Sequence, residues 1–488
     1  MQLFSVILLI HYSKTKKKNF IVGFLDYEKA FDYANRAQII LKLINKGCGH
    51  IFTKAIAKMY NSTTYIPAAN NKLCEGINTS YGVAQGRHSS PNLYSFYVSD
   101  MPQCTNELEN EDFMDPFNLA QLADDSIVLA EDVSSFLEKM RCLLRYSRKI
   151  YQIPNISKTV FCHFSENPVL EPLLVDNETS LSSVNVKDGH RYLGMKCLPS
   201  NDMDRIIRFN LNERMINVCK FYAWLEVNEE TPVEIKILVL DSCLFNSILY
   251  AVETWGDITC IELSLRRTEQ KALKAILKVK SGTSNDLIYN ELKRPDIISR
   301  IKDSQRNFFQ RLQKMDDADA IVKSFVSLCQ DIPFVDYYRS LPANSKTDNI
   351  KNREQKINES DNSMLQYYTS IIDVTSKSAI YSNFIDDRKR AVITRWRLSN
   401  HKLAIEIGRY KIPYVERNDR TCTLCNILED EAHAIFFCPI FYGIRQKQKY
   451  TYVLKKYYTV RLILNPELPD IYVISELLSE IDDILNKR

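Results

Sequence analysis

Apolar and polar positions change period several times along this chain, and the changes mark its elements. Met1 to Ile10 is almost uniformly apolar. It has no basic stretch before it and no small-residue cleavage site after it, and it is too short to span a bilayer, which predicts a buried helix, with a signal peptide as the alternative reading. Phe20-Ile21-Val22-Gly23-Phe24-Leu25 is a run of strand formers ending on Asp26. Helical spacing follows over residues 35–60 (Ile39, Ile40, Leu43, Ile44, Ile51, Ile56, Met59), broken near Gly47-Cys48-Gly49. Ser90-Pro91 opens another helix, with serine as the cap and proline in the first helical position. Leu93, Phe96, Tyr97 and Met101 line one of its faces.

Residues 117–131 predict two short strands meeting at Asp124-Asp125, 133–150 a helix, and 159–164 and 191–197 strands. The first part of the chain is therefore α+β. From about 205 to 335 the pattern is helical, with amphipathic stretches at 233–251 and 264–278. Residues 343–363 are polar and almost without apolar side chains, which predicts a linker or disordered insertion. Residues 366–488 return to a helical, basic pattern that contains cysteines.

Composition adds bounds. A chain of 488 residues is too long for one ordinary core and suggests about three domains. Glycine is scarce, at 12 residues, which argues against a Gly-rich nucleotide cradle. Net charge is only +4, but residues 388–420 hold ten Lys/Arg against three Asp/Glu. A local basic segment containing Trp396 suits a nucleic-acid backbone, and a solvated helix face is the plainer reading. The 13 cysteines, an odd number at irregular spacings, read as reduced intracellular thiols with one metal cluster.

Two groups of residues carry candidate chemistry. Asp124 and Asp125 are neighbours, so on a regular strand their side chains would point to opposite faces. At a tight turn both can approach one site, where their repulsion invites a cation. With Asp26 they would offer three hard oxygen ligands for Mg²⁺. Two such ions about 3.5–4 Å apart can activate a 3′-hydroxyl and stabilise a leaving pyrophosphate. An Asp-Asp pair alone reads as readily as a cap or turn. The second group, Cys422-x2-Cys425-x7-His433-x4-Cys438, matches a closed tetrahedral structural zinc site, with buried thiols and a satisfied histidine as the alternative.

Order and context sharpen the first group. Phe24-Leu25-Asp26-Tyr27-Glu28-Lys29-Ala30-Phe31-Asp32 resembles motif A of reverse transcriptases, and Gly82-Val83-Ala84-Gln85-Gly86-Arg87-His88-Ser89-Ser90-Pro91 resembles motif B. Leu122-Ala123-Asp124-Asp125 resembles motif C, Asn155-Ile156-Ser157-Lys158-Thr159 motif D, and Tyr192-Leu193-Gly194 the hairpin of motif E. Five matches in family order within about 170 residues are specific, although none is so alone. Leu249-Tyr250-Ala251-Val252-Glu253-Thr254-Trp255-Gly256, the stretch from Arg395 to Glu406 and the Cys-Cys-His-Cys element are similar to LINE-type (non-LTR) retrotransposon proteins.

The resemblance implies an RNA-directed DNA polymerase. Residues 20–200 would be its right-hand palm, an antiparallel sheet with packed helices. A helical thumb or connection would follow at 201–342, then the linker at 343–363 and a mostly helical, basic domain at 364–488 with the zinc knuckle at 422–438. Residues 1–19 would be a remnant of the fingers, and a chain so truncated would polymerise poorly. Asp26 and Asp124 would be the main ligands of two Mg²⁺, with Asp125 as a weaker or more remote carboxylate, and Lys158 would donate a proton to pyrophosphate. Phe31 would face the sugar 2′-position. Gln85, Gly86 and Arg87 would lie beside nucleotide and template, and Tyr192, Leu193 and Gly194 would position the primer end. Cys422, Cys425, His433 and Cys438 would bind one Zn²⁺. Arg395, Arg397 and Lys402 would grip phosphates, with Trp396 stacking on a base.

The implied partners are an RNA template, a DNA primer or target, and dNTPs, with no membrane, in the nucleus or cytoplasm and not secreted. Leu122 replaces the aromatic that usually opens motif C, and Arg87-His88 replaces the smaller residues usual in motif B. The alternatives are a catalytically impaired retroelement fragment that only binds nucleic acid and a metal-dependent nuclease using the same carboxylates.

Overall fold

The computed structural model describes residues 2–61, 63–69, 72–105, 119–122, 125–314, 326–327, 329–376, 378–381 and 385–487. The chain divides into two compact units. The first comprises residues 1–210, 254–257 and 309–339; the second comprises 211–253, 258–308 and 340–488.

The first unit is built on strand β1 (Phe20–Leu25), all six residues of which are buried. A strand covered on both faces needs apolar side chains at every position, which explains the uninterrupted run. Two small ribbons follow, β2 (Thr64–Tyr65) with β5 (Ile77–Asn78) and β3 (Ala68–Ala69) with β4 (Lys72–Leu73). The later strands are β6 (Leu119–Leu122), β7 (Asp125–Ala130), β8 (Val160–Phe164), β9 (Leu173–Leu174), β10 (Ser180–Ser183), β11 (His190–Tyr192) and β12 (Met195–Cys197). The main sheet has the order β6-β7-β1-β8-β10-β9. It is antiparallel except where β10 runs parallel to β8, so the sheet is mixed. β11 and β12 form a separate hairpin.

Helices cover this sheet. Among the described residues the first unit includes α1 (Gln2–Lys16), α2 (Ala30–Tyr33), α3 (Arg36–Asn45), α4 (His50–Asn61), α5 (Ser90–Tyr97), α6 (Val133–Lys149) and α7 (Met203–Arg214), whose last turn passes into the second unit. In α6, Asp132 caps the N-terminus by accepting from the Ser135 N–H at 2.9 Å. Phe136, Met140, Leu143 and Leu144 then fall on one buried face. The helix lies so close to β1 that a Cβ on Gly23 would stand 2.7 Å from the Phe136 ring. Helix α5 begins at Ser90 itself; the Ser90 hydroxyl donates to the Ala84 carbonyl at 2.5 Å instead of capping the helix.

Helix α1 is buried from residue 3 to residue 10, with Phe4 and Val6 to Ile10 at most 1% exposed, and its last turn, Lys14 to Lys16, is exposed. The His11 ring stacks on Phe334 at 4.1 Å, and Phe334 lies edge-on to Tyr338. Trp255, from the segment 254–257, is fully buried in the same unit.

The second unit corrects the expected linker and domain boundary. Residues 345–358 form a helix, Ser345–Asn358, within that unit. Its buried face is made largely by long polar groups, which hydropathy counts as solvent-facing. Arg353 donates to the Arg294 carbonyl at 2.7 Å and lies 4.6 Å from the Tyr289 ring centroid, Lys293 pairs with Glu354 at 2.9 Å, and Ile357 is fully buried. Most of the expected thumb (211–253 and 258–308) thus shares one compact unit with the expected C-terminal domain, whereas 254–257 and 309–339 belong to the first unit. Among the described residues no helix is long and apolar enough to cross a membrane.

Burial lowers the His11 pKa to about 4 from an ordinary 6.5. The folded state therefore resists protonation, and the unfolded chain takes up the proton first as pH falls. His11 contributes stability that is fully present above about pH 6.5 and is lost as pH falls toward 4. We expect His11→Phe, which keeps the ring stack, to reduce the loss of stability across this window. Urea unfolding at pH 7 and pH 4.5, followed for both proteins, checks it; an unchanged acid loss in the variant would contradict it.

Candidate active site and metal centre

Asp26 follows the last residue of β1, and Asp125 is the first residue of β7. The two strands pair with Leu25 opposite Ser126, so one further step of the register sets Asp26 opposite Asp125. Cross-strand neighbours project from the same face of a sheet. Both aspartates line one open cleft of about 390 Å³, together with Ser126, Ser157, Lys158 and His190. Asp124 lies outside the described residues.

The cleft is held by backbone bonds to the 153–159 loop. Asn155 N–H donates to the Asp26 carbonyl at 2.8 Å, Glu28 N–H to the Ile153 carbonyl at 2.9 Å, and Asp26 N–H to the Thr159 hydroxyl at 3.3 Å. The same loop carries Lys158, whose Nζ is 3.9 Å from Asp26 Oδ2. Beneath the cleft the Phe24 ring packs against His190 at 4.6 Å and Tyr192 at 5.1 Å. Burial, helped by the charge of Asp125, raises the Tyr192 phenol pKa well above its ordinary value. Burial lowers the His190 pKa, and the Asp26 charge opposes it. Leu193 and Gly194 make the two-residue turn of the β11–β12 hairpin, both at positive φ. Lys196 N–H and carbonyl are each bonded to Asn210 at 2.8 Å, which ties the hairpin to α7.

A second layer sits beside α2. Gly82 N–H donates to the Ala34 carbonyl and Val83 N–H to the Phe31 carbonyl, both at 2.8 Å. Gly82 has φ +86°, and a Cβ there would lie 2.8 Å from the Asp32 carbonyl oxygen, so this approach requires glycine. Phe31 is half-buried with its ring stacked on Tyr94 at 4.8 Å. Gln85 Nε2 reaches Asp32 Oδ1 at 3.4 Å; Gly86 (φ +83°) and Arg87 are exposed. Phe31, Gln85, Gly86 and Arg87 do not line the carboxylate cleft.

Sequence reasoning missed Arg36, which is buried and fastens this layer. Its guanidinium donates to the Gly82 carbonyl at 2.8 Å and to the Thr79 hydroxyl at 3.0 Å, and lies 4.9 Å from the Tyr60 ring centroid. It also missed His190 and Ser126 in the cleft. Ser126 stood directly after the paired aspartates, the one signal that could have found it; its buried hydroxyl has no hydrogen-bond partner.

In the second unit, Cys422, Cys425, His433 and Cys438 come together, with one ligand atom from each lying within 4.8 Å of the others. Cys422 Sγ is 3.8 Å and Cys425 Sγ 4.0 Å from Cys438 Sγ. A tetrahedron with bonds of about 2.3 Å has edges of about 3.8 Å, so the spacing suits zinc. The turn from Cys422 is closed by Asn426 N–H to the Cys422 carbonyl at 2.9 Å, with Asn426 at positive φ. His433–Phe437 is a π-helical turn, and Cys438 N–H donates to the His433 carbonyl at 2.7 Å. That wider turn brings residues five apart to the same side. Both ring nitrogens of the buried His433 lack a hydrogen-bond partner, which a metal would satisfy on one side.

The thiols behave as a crowded set. Burial opposes charge on Cys422, but the Leu424 and Cys425 N–H groups and the neighbouring thiols outweigh it and lower its pKa. Burial and the same neighbours push Cys425 up to about 11. A bound cation would relieve this competition. All 13 cysteines are free of disulfides.

The expected nucleic-acid grip at 395–402 is corrected. Trp396 is fully buried and packs against the His401 ring at 4.9 Å, so it cannot stack on a base. Arg397 is 1% exposed, paired with Glu291 at 3.0 Å and bonded to Asn465 Oδ1 at 2.7 Å. Arg395 faces Asp482 at 3.8 Å. Neighbouring positive charges also face carboxylates of the same chain, Arg390–Asp387 in the interior and Arg388–Glu229 and Lys389–Glu476 at the surface. Lys402 remains exposed.

Residues 2–197 match the profile of the family described as reverse transcriptase (RNA-dependent DNA polymerase). A solved structure of telomerase from Candida albicans, in complex with a TWJ fragment of telomeric RNA, is similar at 14% identity and a TM-score of 0.32. The likeness covers 70% of this chain, which spans 53%, about half, of that one. No curated protein matches the chain.

One zinc per chain is expected after purification without chelators. Replacing it with Co²⁺ should give thiolate-to-metal absorption that disappears in Cys438→Ser. Protein free of zinc that keeps the same fold after chelation would contradict the assignment.

Proposed function

We propose that the chain is the palm and C-terminal part of a LINE-type RNA-directed DNA polymerase, which extends a DNA primer on an RNA template with dNTPs inside the cell. The observation that carries this reading is the register that sets Asp26 opposite Asp125 at the edge of one cleft. The residues present fit hard divalent cations: two described carboxylates and the unpartnered Ser126 hydroxyl, all oxygen donors. Asp124, by the motif resemblance, would add a third carboxylate. Mg²⁺, when bound, would supply charge stabilisation for the attacking and leaving oxygens.

The chain's own groups would do the remaining work. Asp26 and Asp125 would orient the reacting oxygens, and Lys158, already beside Asp26, would hold a proton at Nζ for the departing pyrophosphate. The turn at Leu193-Gly194 would position the primer end, and Tyr192 would support it from within the fold. Gln85, Gly86 and Arg87 would border the nucleotide and template. Phe31, braced on Tyr94, would face the sugar. A ribonucleotide's 2′-hydroxyl would lose water against the ring without gaining a hydrogen bond, a penalty of about 1–3 kcal/mol. The zinc knuckle would be structural.

The test is Mg²⁺-dependent primer extension on an RNA template, with single-nucleotide incorporation of matched ribo- and deoxy- forms. Asp26→Asn and Asp125→Asn should each lower incorporation by about a hundredfold or more, as displacement of the reacting atoms by about 1 Å already can. Phe31→Val should admit ribonucleotides, whereas Phe31→Tyr should keep them out. Extension that survives Asp26→Asn unchanged would overturn the polymerase reading. Unchanged sugar choice in Phe31→Val would make Phe31 a core residue only.

A further inference from the structure

The proposed zinc centre carries a charge that its own ligands do not balance. Three thiolates outweigh the two positive charges of Zn²⁺, and a neutral imidazole adds none, so the complex has one net negative charge. Cys422, His433 and Cys438 are at most 4% exposed, and Cys425 is half-buried. Water therefore offsets little of that charge, and an uncompensated charge in the interior is costly. A cation placed beside such a closed site stabilises it.

The short helix Tyr442–Arg445 places a cation there. The Arg445 side chain is half-buried, and its Nη2 donates to the Cys438 carbonyl at 2.6 Å. Nη1 lies 3.5 Å from the Ala434 carbonyl, a weaker contact. Ala434 directly follows His433, so the two carbonyls bracket the π-helical turn that carries two of the four ligands. The Phe441 N–H donates to the same Cys438 carbonyl at 3.2 Å, which fixes the chain as it leaves the ligand. Among the described residues no carboxylate pairs with Arg445, and the foremost charge acting on it is that of Cys438. A guanidinium keeps its proton in proteins. Half out of water and without a carboxylate, this one matches the surplus charge of the metal complex.

We propose that Arg445 is the counter-charge and positioning residue of the zinc centre. Its charge offsets the surplus negative charge of the complex, and its two carbonyl contacts hold His433 and Cys438 at ligand spacing. The inference rests on the zinc assignment and is independent of the polymerase reading. Groups that orient metal ligands from outside the ligand set commonly change affinity about ten- to a hundredfold. The two parts of the role are separable. Lysine keeps the charge but not the planar fork, whereas glutamine keeps an N–H donor but not the charge. Without metal the thiols can hold their protons, and the surplus charge is absent. Arg445 therefore stabilises the zinc-loaded chain more than the metal-free one, which a plain structural brace would not do.

The experiment measures the zinc affinity of the full chain by equilibrium competition with a chromophoric chelator at fixed salt, for the parent, Arg445→Gln and Arg445→Lys. Thermal unfolding of each protein with and without zinc accompanies it. Arg445→Gln is expected to weaken zinc binding about tenfold or more. Arg445→Lys should recover most of that loss. The gain in Tm on adding zinc should shrink in Arg445→Gln, with the metal-free Tm little changed. Parental zinc affinity in Arg445→Gln would overturn the proposal. Equal losses in Arg445→Gln and Arg445→Lys would overturn the counter-charge role, and so would equal drops in Tm with and without zinc. Should Arg445→Gln not fold, Arg445→Lys decides alone: affinity near the parent's supports the proposal, and a loss of about tenfold overturns it. A parent that takes up no zinc would overturn the zinc assignment itself, which no result on the variants can imitate.

Discussion

The antiparallel pairing of β1 with β7 is the constraint on which the candidate active site depends. It joins two strands separated by about a hundred residues and aligns Leu25 with Ser126. Because side chains alternate between faces, a slip by one residue would send Asp26 and Asp125 to different environments and turn apolar positions toward water. Burial resists that slip: all of β1 is buried, and Ile127 to Ala130 of β7 are at most 1% exposed. Gly23 strengthens the register because only a residue without a side chain admits the Phe136 ring so close to the strand. The position of the two carboxylates is thus set by the packing of apolar side chains along the strands.

The second unit is organised differently, around buried charge. Glu291 is fully enclosed with Arg397, and the hydroxyls of Tyr368 and Tyr381 donate to it at 2.8 and 2.7 Å. Glu269 accepts from Arg294, Tyr289 and the Ile297 N–H. Asp387 is shared by Lys236 and Arg390, each at 2.7 Å. Removing one partner of such a pair strands the other and typically costs about 3–5 kcal/mol. These networks connect residues from 236 to 397, which joins most of the expected thumb to the C-terminal domain in one compact unit.

The strands and the convergence of Asp26 with Asp125 were legible because each rests on local signals: an apolar run, a change of period and a carboxylate at its end. The Cys-Cys-His-Cys spacing was legible for the same reason, since a tight turn and a single π-helical turn suffice to bring the four ligands together. Trp396 and Arg397 were misread because their burial depends on partners such as Glu291, distant in the chain. The same blindness turned Ser345–Asn358 into a linker, although Arg353 and Lys293 anchor that helix through partners far away in sequence. His190 and Arg36 carried no motif, and their roles emerge only from packing.

Mn²⁺ titration followed by electron paramagnetic resonance tests directly whether the adjacent ends of β1 and β7 hold a divalent cation, as proposed. The parent should bind Mn²⁺ saturably, Mg²⁺ should displace it, and binding should be lost or weakened at least about tenfold in Asp26→Asn and in Asp125→Asn, with the fold intact. Undiminished binding in both variants would contradict it.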